Sequence, residues 1–291
     1  MIKQLVTLVA VVLFTLPAFG QGKELTLEDA VMEQYRGFYP KSLPMFSWVP
    51  NTDCYTYLDS YTKLMKASVG NSAAKELLNI QEFNEKVNAK MTWFSGLEWK
   101  DENEFWINDG QSFFSYNIAQ KKGKLLHGLD ENSENAIFHN RTESVAFTKD
   151  NNVYINTRVG LEIIVTDNED KNIVSGQAIA RSEFGITTGV FWSPDGGSLA
   201  YYQKDETNIH DYPLLDNSVT PGALISIKYP MAGQSSEKAK VGIYNIANHS
   251  TSFIKPRQGE ENYLTNLSWT KDNKYLFVAE VNRGQNHMWL N

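Results

Sequence analysis

The sequence predicts an all-β protein, an incomplete β-propeller of four-stranded blades with a short N-terminal helix. The first observation is a repeated unit in which an aromatic residue ends a short strand, a polar turn follows and a second strand returns. Its clearest copy is VFWSPDGGSLAYYQ, residues 190–203. The second observation is the spacing of the aromatic anchors, which are Trp48, Trp99, Phe147, Trp192 and Trp269. Their separations are 51, 48, 45 and 77 residues, and the first three match the roughly 40 to 50 residues of a propeller blade.

An antiparallel sandwich is the alternative architecture, because it also contains short strands joined by polar turns. A sandwich would not repeat an aromatic unit at this period, so the spacing favours the propeller. The gap of 77 residues after Trp192 is too long for one blade and predicts an insertion. Residues 207–221 are predicted to be an enlarged loop, and residues 225–233 and 241–246 to be the two strands that complete the blade.

Composition and charge bound the possible functions. The chain has 291 residues, of which 42% are hydrophobic and 12% aromatic, enough for a buried core rich in strands. The net charge is -7 and the sequence contains no basic run that could follow a phosphate backbone. A nucleic-acid partner is therefore not expected.

Residues 1–20 are predicted to be a signal peptide. An apolar run over residues 5–16 precedes the small residues Ala18 and Gly20, where cleavage would occur. The run is too short to span a bilayer, so we expect an exported protein without a membrane span. The single cysteine, Cys54, allows no intrachain disulfide, which favours a bacterial periplasm over a eukaryotic secretory route.

Two helices are predicted outside the repeated units. Residues 21–45 form a helical lead-in, because Thr26 stands three residues before Asp29 in the pattern of a capping box. Apolar residues recur at helical spacing over residues 77–87, which predicts a small helix on the outside of a sheet, with a partner-binding helix as the alternative. The polar stretch 121–135 is predicted to be a surface connection.

Residues 46–291 are predicted to form a partial propeller. The last four residues, 288–291, fall within what the pattern predicts to be another strand. A ring that does not close leaves exposed sheet edges, which a complete propeller avoids. We therefore expect the chain to be a fragment of a longer polypeptide, truncated before the rest of the propeller.

The sequence contains none of the common catalytic motifs. It has no Gly-x-Ser-x-Gly elbow, no phosphate-binding glycine-rich loop with lysine, no His-Glu-x-x-His and no paired cysteines. The acidic stretch 167–170 lacks the spacing of a calcium loop and is predicted to be a solvated turn. No cofactor, no metal and no catalytic residue is expected in this chain.

Six segments nevertheless stand in a recognisable order. They are RSEFGI at 181–186, FWSPDG at 191–196, YPMAG at 229–233, VGIY at 241–244, LTNLSW at 264–269 and VAEVNR at 278–283. Together with LTLED at 25–29, they resemble the N-terminal propeller of bacterial dipeptidyl peptidase IV-type serine exopeptidases of the prolyl oligopeptidase superfamily. The tandem of EFGI and YPMAG is more specific than WSPDG, which many propellers carry.

The resemblance implies a propeller that sits over a C-terminal α/β-hydrolase domain with a Ser, Asp, His triad. It implies that Glu183 projects into the cavity between the two and pairs with the free α-amino group of a peptide, a strong charge-assisted contact. Arg181 is implied to orient Glu183 or to contact a peptide carbonyl, and a solvated arginine is the alternative. Ser182 stands where the animal enzymes have an adjacent glutamate. One carboxylate must therefore suffice, or another part of the chain must help.

Two functions of different classes remain. The first is the substrate-admitting, N-terminus-recognising propeller portion of a dipeptidyl peptidase IV-like serine exopeptidase that acts on proline-containing peptides, inactive without its catalytic domain. A single glutamate also fits prolyl tripeptidyl peptidases, so the length of the released peptide stays open. The alternative is a non-catalytic periplasmic propeller that binds proteins; a non-functional remnant is a third reading. The expected partners are peptides with a free N-terminus, a C-terminal hydrolase domain in the full-length protein and, in a homodimer, a second copy.

Overall fold

A computed structural model describes residues 24–33, 35–40, 42–257 and 262–291, without the side chains of Ser72 and Arg181. The predicted signal peptide lies outside the described residues. The chain divides into two compact units, Met1–Leu43 and Pro44–Asn291. Across the described ranges, no helix is both long enough and apolar enough to cross a membrane.

In the first unit, Thr26 and Asp29 form the predicted helix start. The Thr26 backbone N–H donates to Asp29 Oδ2 (3.0 Å), and the Asp29 N–H donates to Thr26 Oγ1 (3.1 Å). This reciprocal pairing is that of a capping box. A π-helical turn, Asp29–Glu33, follows. The helix is present, but it is shorter than the sequence indicates.

The second unit is all-β, as predicted, and its sheets are antiparallel meanders of the kind that form propeller blades. The first sheet contains β1 (Ser47–Trp48), β2 (Cys54–Asp59), β3 (Lys63–Ser68) and β4 (Asn71–Asn79). The second contains β5 (Glu98–Trp99), β6 (Glu104–Asn108), β7 (Ser112–Asn117) and β8 (Lys122–Gly128). The third contains β9 (Glu134–His139), β10 (Ser144–Lys149), β11 (Asn152–Asn156) and β12 (Glu162–Ile164).

The fourth and fifth sheets complete the described part of the propeller. The fourth contains β13 (Ile173–Ser175), β14 (Val190–Trp192), β15 (Ser198–Asp205), β18 (Lys238–Asn245) and β19 (Ser250–Phe253). The fifth contains β20 (Tyr263–Trp269), β21 (Leu276–Val281) and β22 (Met288–Leu290). In the fourth sheet, β13 and β14 pair with different parts of β15, β15 pairs with β18, and β18 pairs with β19. In the fifth sheet, β20 pairs with β21 and β21 with β22.

The predicted insertion is present, but its internal structure differs from the prediction. Strand β16 (Asp211–Asp216) pairs with β17 (Ala223–Lys228) in a separate hairpin. The assignment of residues 207–221 to a loop is therefore wrong, and so is the assignment of residues 225–233 to the blade. Strands β18 and β19 complete the fourth sheet instead. Alternating apolar residues predict a strand, but they do not specify its pairing partner.

The helix α1 (Ile80–Val87) packs against β4 and β8, in agreement with the periodicity of residues 77–87. Its central residue, Phe83, is fully buried. The ring of Phe83 lies within 5.7 Å of three other aromatic rings, those of Phe94, Phe114 and Tyr116. The prediction of a surface connection over residues 121–135 is wrong, because β8 lies within it. As an edge strand, β8 needs few apolar residues to form.

Three tryptophans that end strands of the second, fourth and fifth sheets donate their indole N–H groups to the preceding sheet. The donor and acceptor pairs are Trp99 with Thr56 Oγ1 (2.9 Å), Trp192 with the Ile137 carbonyl (3.0 Å) and Trp269 with the Phe191 carbonyl (3.0 Å). We call these three contacts the indole seams. In the first sheet, Trp48 is 54% exposed, and among the described residues its indole N–H has no acceptor.

The third sheet has no tryptophan at this position. Phe147 lies in β10 and pairs with Tyr154 of β11, so the assignment of Phe147 as a blade anchor is wrong. The polar turn at residues 149–151 resembles the turns of the other units, which explains the misassignment. His139 ends β9 in the anchor position, and its ring centroid lies 5.3 Å from that of Trp192.

A charged cluster links the second and third sheets. Lys100 Nζ lies 3.0 Å from Glu143 Oε1, and Arg158 Nε lies 3.3 Å from Glu143 Oε2. Burial alone would raise the pKa of Glu143. The hydrogen bond and charge of Lys100, together with the charge of Arg158, offset burial and hold this pKa below its ordinary value. Glu143 therefore keeps its charge although its side chain is only 4% exposed.

Candidate functional site

Glu183 lies on a short 3-10 helix, Ala180–Gly185, between β13 and β14. Buried isoleucines flank this helix, because Ile179 is 2% exposed and Ile186 is 4% exposed. The helix contains i to i+3 backbone hydrogen bonds, from the Ser182 N–H to the Ile179 carbonyl and from the Ile186 N–H to the Glu183 carbonyl. The apolar ends hold the segment to the core, while Glu183 between them is exposed.

The backbone of the 3-10 helix is strained. Three residues other than glycine have positive φ angles, which are 50° at Ala180, 64° at Ser182 and 57° at Phe184. A side chain in this left-handed region costs of order 1 kcal/mol relative to ordinary backbone. Such conformations persist only where the surroundings hold them. The contacts made by the helix therefore determine where Glu183 lies.

The opposite side of the helix packs against the fifth sheet. The ring of Phe184 lies 5.2 Å from the ring of Tyr263, the first residue of β20. A cavity of about 680 Å³ adjoins this contact. Its lining comes from the 3-10 helix region (Ile179, Ala180, Glu183), from the return of the insertion (Pro230 and residues 234–239) and from the fifth sheet (Asn262, Tyr263, Arg283).

Glu183 lines the cavity with a free carboxylate. Among the described residues, its carboxylate oxygens make no hydrogen bond and no ion pair. An exposed carboxylate of this kind can accept charge-assisted hydrogen bonds from a cation that enters the cavity. The side chain of Arg181, the second residue singled out from the sequence, lies outside the described part of the structure.

Arg283 brings a positive charge to the same cavity. Its guanidinium carbon lies 5.6 Å from the centre of the Tyr263 ring, and its Nη1 donates to Ser236 Oγ (3.1 Å). A guanidinium has five N–H donors. Most of them are not used by these two contacts, so Arg283 can donate to a carbonyl or carboxylate oxygen. Sequence reasoning did not single out Arg283, because nothing in its spacing relates it to Glu183.

Glu237 is the second carboxylate of the cavity lining. Its Oε1 accepts a hydrogen bond from the Ala180 backbone N–H (2.9 Å), and its Oε2 lies 3.8 Å from Lys204 Nζ. Lys204 lies closer to Glu206, at 2.7 Å. Glu237 stands 57 residues after Ala180 in the chain. No sequence pattern indicates that the insertion returns to the 3-10 helix.

The described residues of the cavity lining include groups that bind, but none is arranged for nucleophilic catalysis. Ser235 and Ser236 line the cavity, but no histidine is among these described residues to activate a hydroxyl. In the portion of the chain that the structure describes, no three His, Cys, Asp or Glu side chains are grouped so that they could hold a metal ion. The arrangement suits recognition of a small ligand that carries both charges.

The fold defines a class, a β-propeller domain with a charged cavity beside its fourth and fifth sheets. The sequence model of the dipeptidyl peptidase IV (DPP IV) N-terminal region matches residues 98–291, more than half of the chain. The chain belongs to this family, and the resemblance described above is confirmed.

Known structures and curated relatives agree with this assignment. A Bacteroides ovatus protein named as a dipeptidyl aminopeptidase IV has a TM-score of 0.71 and 30% identity, with 87% of this chain and 35% of that one covered. The Porphyromonas gingivalis dipeptidyl peptidase 4 has a TM-score of 0.67 and 20% identity, with 92% and 40% covered, and supports the fold. A Pyrenophora teres f. teres protein named as a dipeptidyl-aminopeptidase B is 21% identical over 307 residues, with 91% and 33% covered. The chain thus spans between a third and two fifths of the length of these proteins.

Proposed function

We propose that this chain is the substrate-admitting, N-terminus-recognising propeller portion of a dipeptidyl peptidase IV-like serine exopeptidase that acts on proline-containing peptides. Glu183 binds the free α-ammonium group of the incoming peptide. The peptide bond of the substrate is cleaved by a separate hydrolase domain of the full-length protein. The proposal rests on family membership and on one observation: Glu183 lines a cavity large enough for a short peptide, and its carboxylate makes no hydrogen bond or ion pair with the described residues.

The chemistry of the cavity supports this role. A peptide N-terminus carries a positive charge and N–H donors, and these match the acceptor oxygens of Glu183. The peptide backbone that follows carries carbonyl oxygens, and Arg283 on the same cavity lining offers N–H donors to them. Because the ammonium group is bound at a fixed position, the distance to the cleaved bond is set by the number of residues between them. A peptide with a blocked N-terminus would bind less tightly.

Titration calorimetry with the purified chain tests the proposal. The probes are the peptide Ala-Pro-Ala and its N-acetylated form, which differ only in the charge and donors of the N-terminus. One charge-assisted contact contributes about 1.5–3 kcal/mol, so the free peptide should bind roughly 10 to 100 times more tightly. The preference for the free peptide over the acetylated one should decline as the pH rises through the α-amino pKa of the peptide, about 7.7–8.0, because the ammonium group then loses its charge.

Glu183→Gln is the decisive variant, because it removes the charge and keeps the size of the side chain. It should bring the two affinities to within about threefold of each other, with the acetylated peptide little affected. Glu169→Gln is the matched control, because Glu169 is also exposed but does not line the cavity. An unchanged preference in Glu183→Gln would contradict the proposal.

The remaining parts of the proposal follow from the sequence. We propose export to a bacterial periplasm on the basis of residues 1–20, and N-terminal sequencing of the protein secreted by its host tests this. The purified chain should not hydrolyse a Gly-Pro chromogenic amide, since no histidine is among the described residues that line the cavity with the two serines. Specific turnover that remains in Glu183→Gln but is lost on mutation of either serine would place catalysis in this cavity instead.

A further inference from the structure

The carboxylate of Glu237 holds the first residue of the strained 3-10 helix. Its Oε1 accepts the Ala180 N–H at 2.9 Å. Ala180 has a φ of 50°, a conformation that an alanine leaves unless something fixes it. No other hydrogen bond from the Ala180 N–H occurs within the described residues. The helix is thus tied at its start to the end of the insertion.

Glu237 is itself held in place, in contrast to Glu183. The side chain of Glu237 is 18% exposed and faces Lys204, whose side chain is 16% exposed. Lys204 is held in turn by Glu206, at 2.7 Å. The cavity therefore has one carboxylate that is engaged in structure and one that is free for a ligand.

Apart from the backbone hydrogen bonds within the helix, the described contacts that restrain its other end are apolar. Phe184 packs on Tyr263, and Ile186 is buried in the core. These contacts restrict the end of the helix but do not fix the φ angle of Ala180. Without the hydrogen bond to Glu237, Ala180 could return to a negative φ angle. The peptide planes that follow would rotate, and the carboxylate of Glu183, three residues on, would move with them.

We propose that Glu237 is a positioning residue for Glu183. Glu237 acts through its hydrogen bond with the Ala180 N–H and not through the ligand. The inference rests on the proposed function, in which Glu183 binds the α-ammonium group of a peptide. The chain has Ser182 in place of a second adjacent glutamate, and Glu237 from the insertion keeps the remaining carboxylate at a fixed position.

Three substitutions at Glu237 separate the hydrogen bond from the charge. Glu237→Gln removes the charge but keeps an oxygen that can accept from Ala180. Glu237→Asp keeps the charge but shortens the side chain by one methylene, which withdraws the acceptor. Glu237→Ala removes both. Glu206→Ala is the matched control, because it also removes a partner of Lys204 but does not line the cavity.

The readout is the ratio of the affinities of Ala-Pro-Ala and N-acetyl-Ala-Pro-Ala for the purified chain. The ratio should fall about tenfold in Glu237→Ala and in Glu237→Asp, but it should stay within about twofold of wild type in Glu237→Gln and Glu206→Ala. The affinity of the acetylated peptide should change little in any of them. Hydrogen exchange of the amides of residues 180–186 should accelerate only in the Ala and Asp variants.

The outcomes distinguish this inference from the function on which it rests. If wild type shows no preference for the free N-terminus, the proposed function fails, and the inference fails with it. If wild type shows the preference and the Asp variant keeps it, only the positioning role is overturned. If the affinity ratio falls more in Glu237→Gln than in Glu237→Asp, the positioning role is also overturned, because the charge of Glu237 would then act directly on the ligand. If Glu237→Ala does not fold, the comparison of Gln with Asp decides the question.

Discussion

The indole seams make a quantitative prediction for stability. Trp192→Phe removes the hydrogen bond from the indole N–H to the Ile137 carbonyl (3.0 Å) and leaves an aromatic ring in its place. Loss of one such bond costs about 0.5–1.5 kcal/mol. The smaller ring also loses part of its contact with His139, whose centroid lies 5.3 Å away, a further several tenths of a kcal/mol. We expect a total of about 1–2 kcal/mol.

Urea unfolding followed by tryptophan fluorescence and circular dichroism measures this change. With an m-value of about 3 kcal/mol/M, the midpoint should fall by roughly 0.3–0.7 M. Trp269→Phe, which breaks the equivalent bond to the Phe191 carbonyl, should give a similar shift. Trp48→Phe is the matched control, since Trp48 is 54% exposed, and should shift the midpoint by less than about 0.2 M.

The comparison between these variants can refute the reasoning. If Trp48→Phe destabilises the chain as much as Trp192→Phe, the effect comes from the tryptophan ring and not from the seam. If Trp192→Phe and Trp269→Phe both shift the midpoint by less than the control, the indole hydrogen bonds contribute nothing to the association of neighbouring sheets.

Three further predictions concern charge, backbone packing and association. Glu143→Gln should lower the free energy of unfolding by about 1–2 kcal/mol at neutral pH. Because the folded-state pKa of Glu143 is lowered, this difference in stability should be complete above about pH 5 and should vanish as the pH falls through that pKa. Denaturation of both proteins at several pH values measures it. Gly189→Ala should destabilise by at least about 2 kcal/mol, because the added Cβ collides with the backbone of Gly176, and no change in its thermal midpoint would contradict this. If the chain forms a homodimer through the exposed hairpin of β16 and β17, Leu224→Asp, at a residue that is 76% exposed, should give a monomer in sedimentation velocity. A persisting dimer would exclude this surface.

The sequence predicts the second, fourth and fifth blades well because each of them contains its own signal. Trp99, Trp192 and Trp269 each end a short strand before a polar turn, and the structure has a strand pair at each of these places. The acceptors of their indole N–H groups could not be predicted in the same way. Two of them are backbone carbonyls, which every residue carries, so only the packing of one sheet on the next selects them.

Strand pairing is less visible in the sequence than strand formation. Residues 225–228 alternate as a strand should, but the pattern fits the hairpin with β16 as well as it fits the blade. Phe147 was wrongly assigned as a blade anchor for a related reason. The turn at residues 149–151 joins the second and third strands of its sheet instead of the first and second. Local chemistry determines where a chain turns, but the choice of neighbour depends on the whole sheet.

The candidate site was only partly visible in the sequence. Glu183 could be singled out through the family resemblance, because its segment EFGI is specific. Arg283 and Glu237 reach the same cavity from the fifth sheet and from the end of the insertion. Neither lies at a spacing that relates it to Glu183, so their proximity depends on how the sheets pack.

The indole seams all run in one direction, from a later sheet back to an earlier one. During synthesis, the carbonyl or hydroxyl that each tryptophan needs belongs to a part of the chain that has already left the ribosome. We expect this polarity to favour the addition of blades one at a time from the N-terminal side, with each finished blade serving as a template for the next. In a circular permutant that starts at the fifth sheet, the Trp269 donor would emerge before its acceptor, the Phe191 carbonyl, exists.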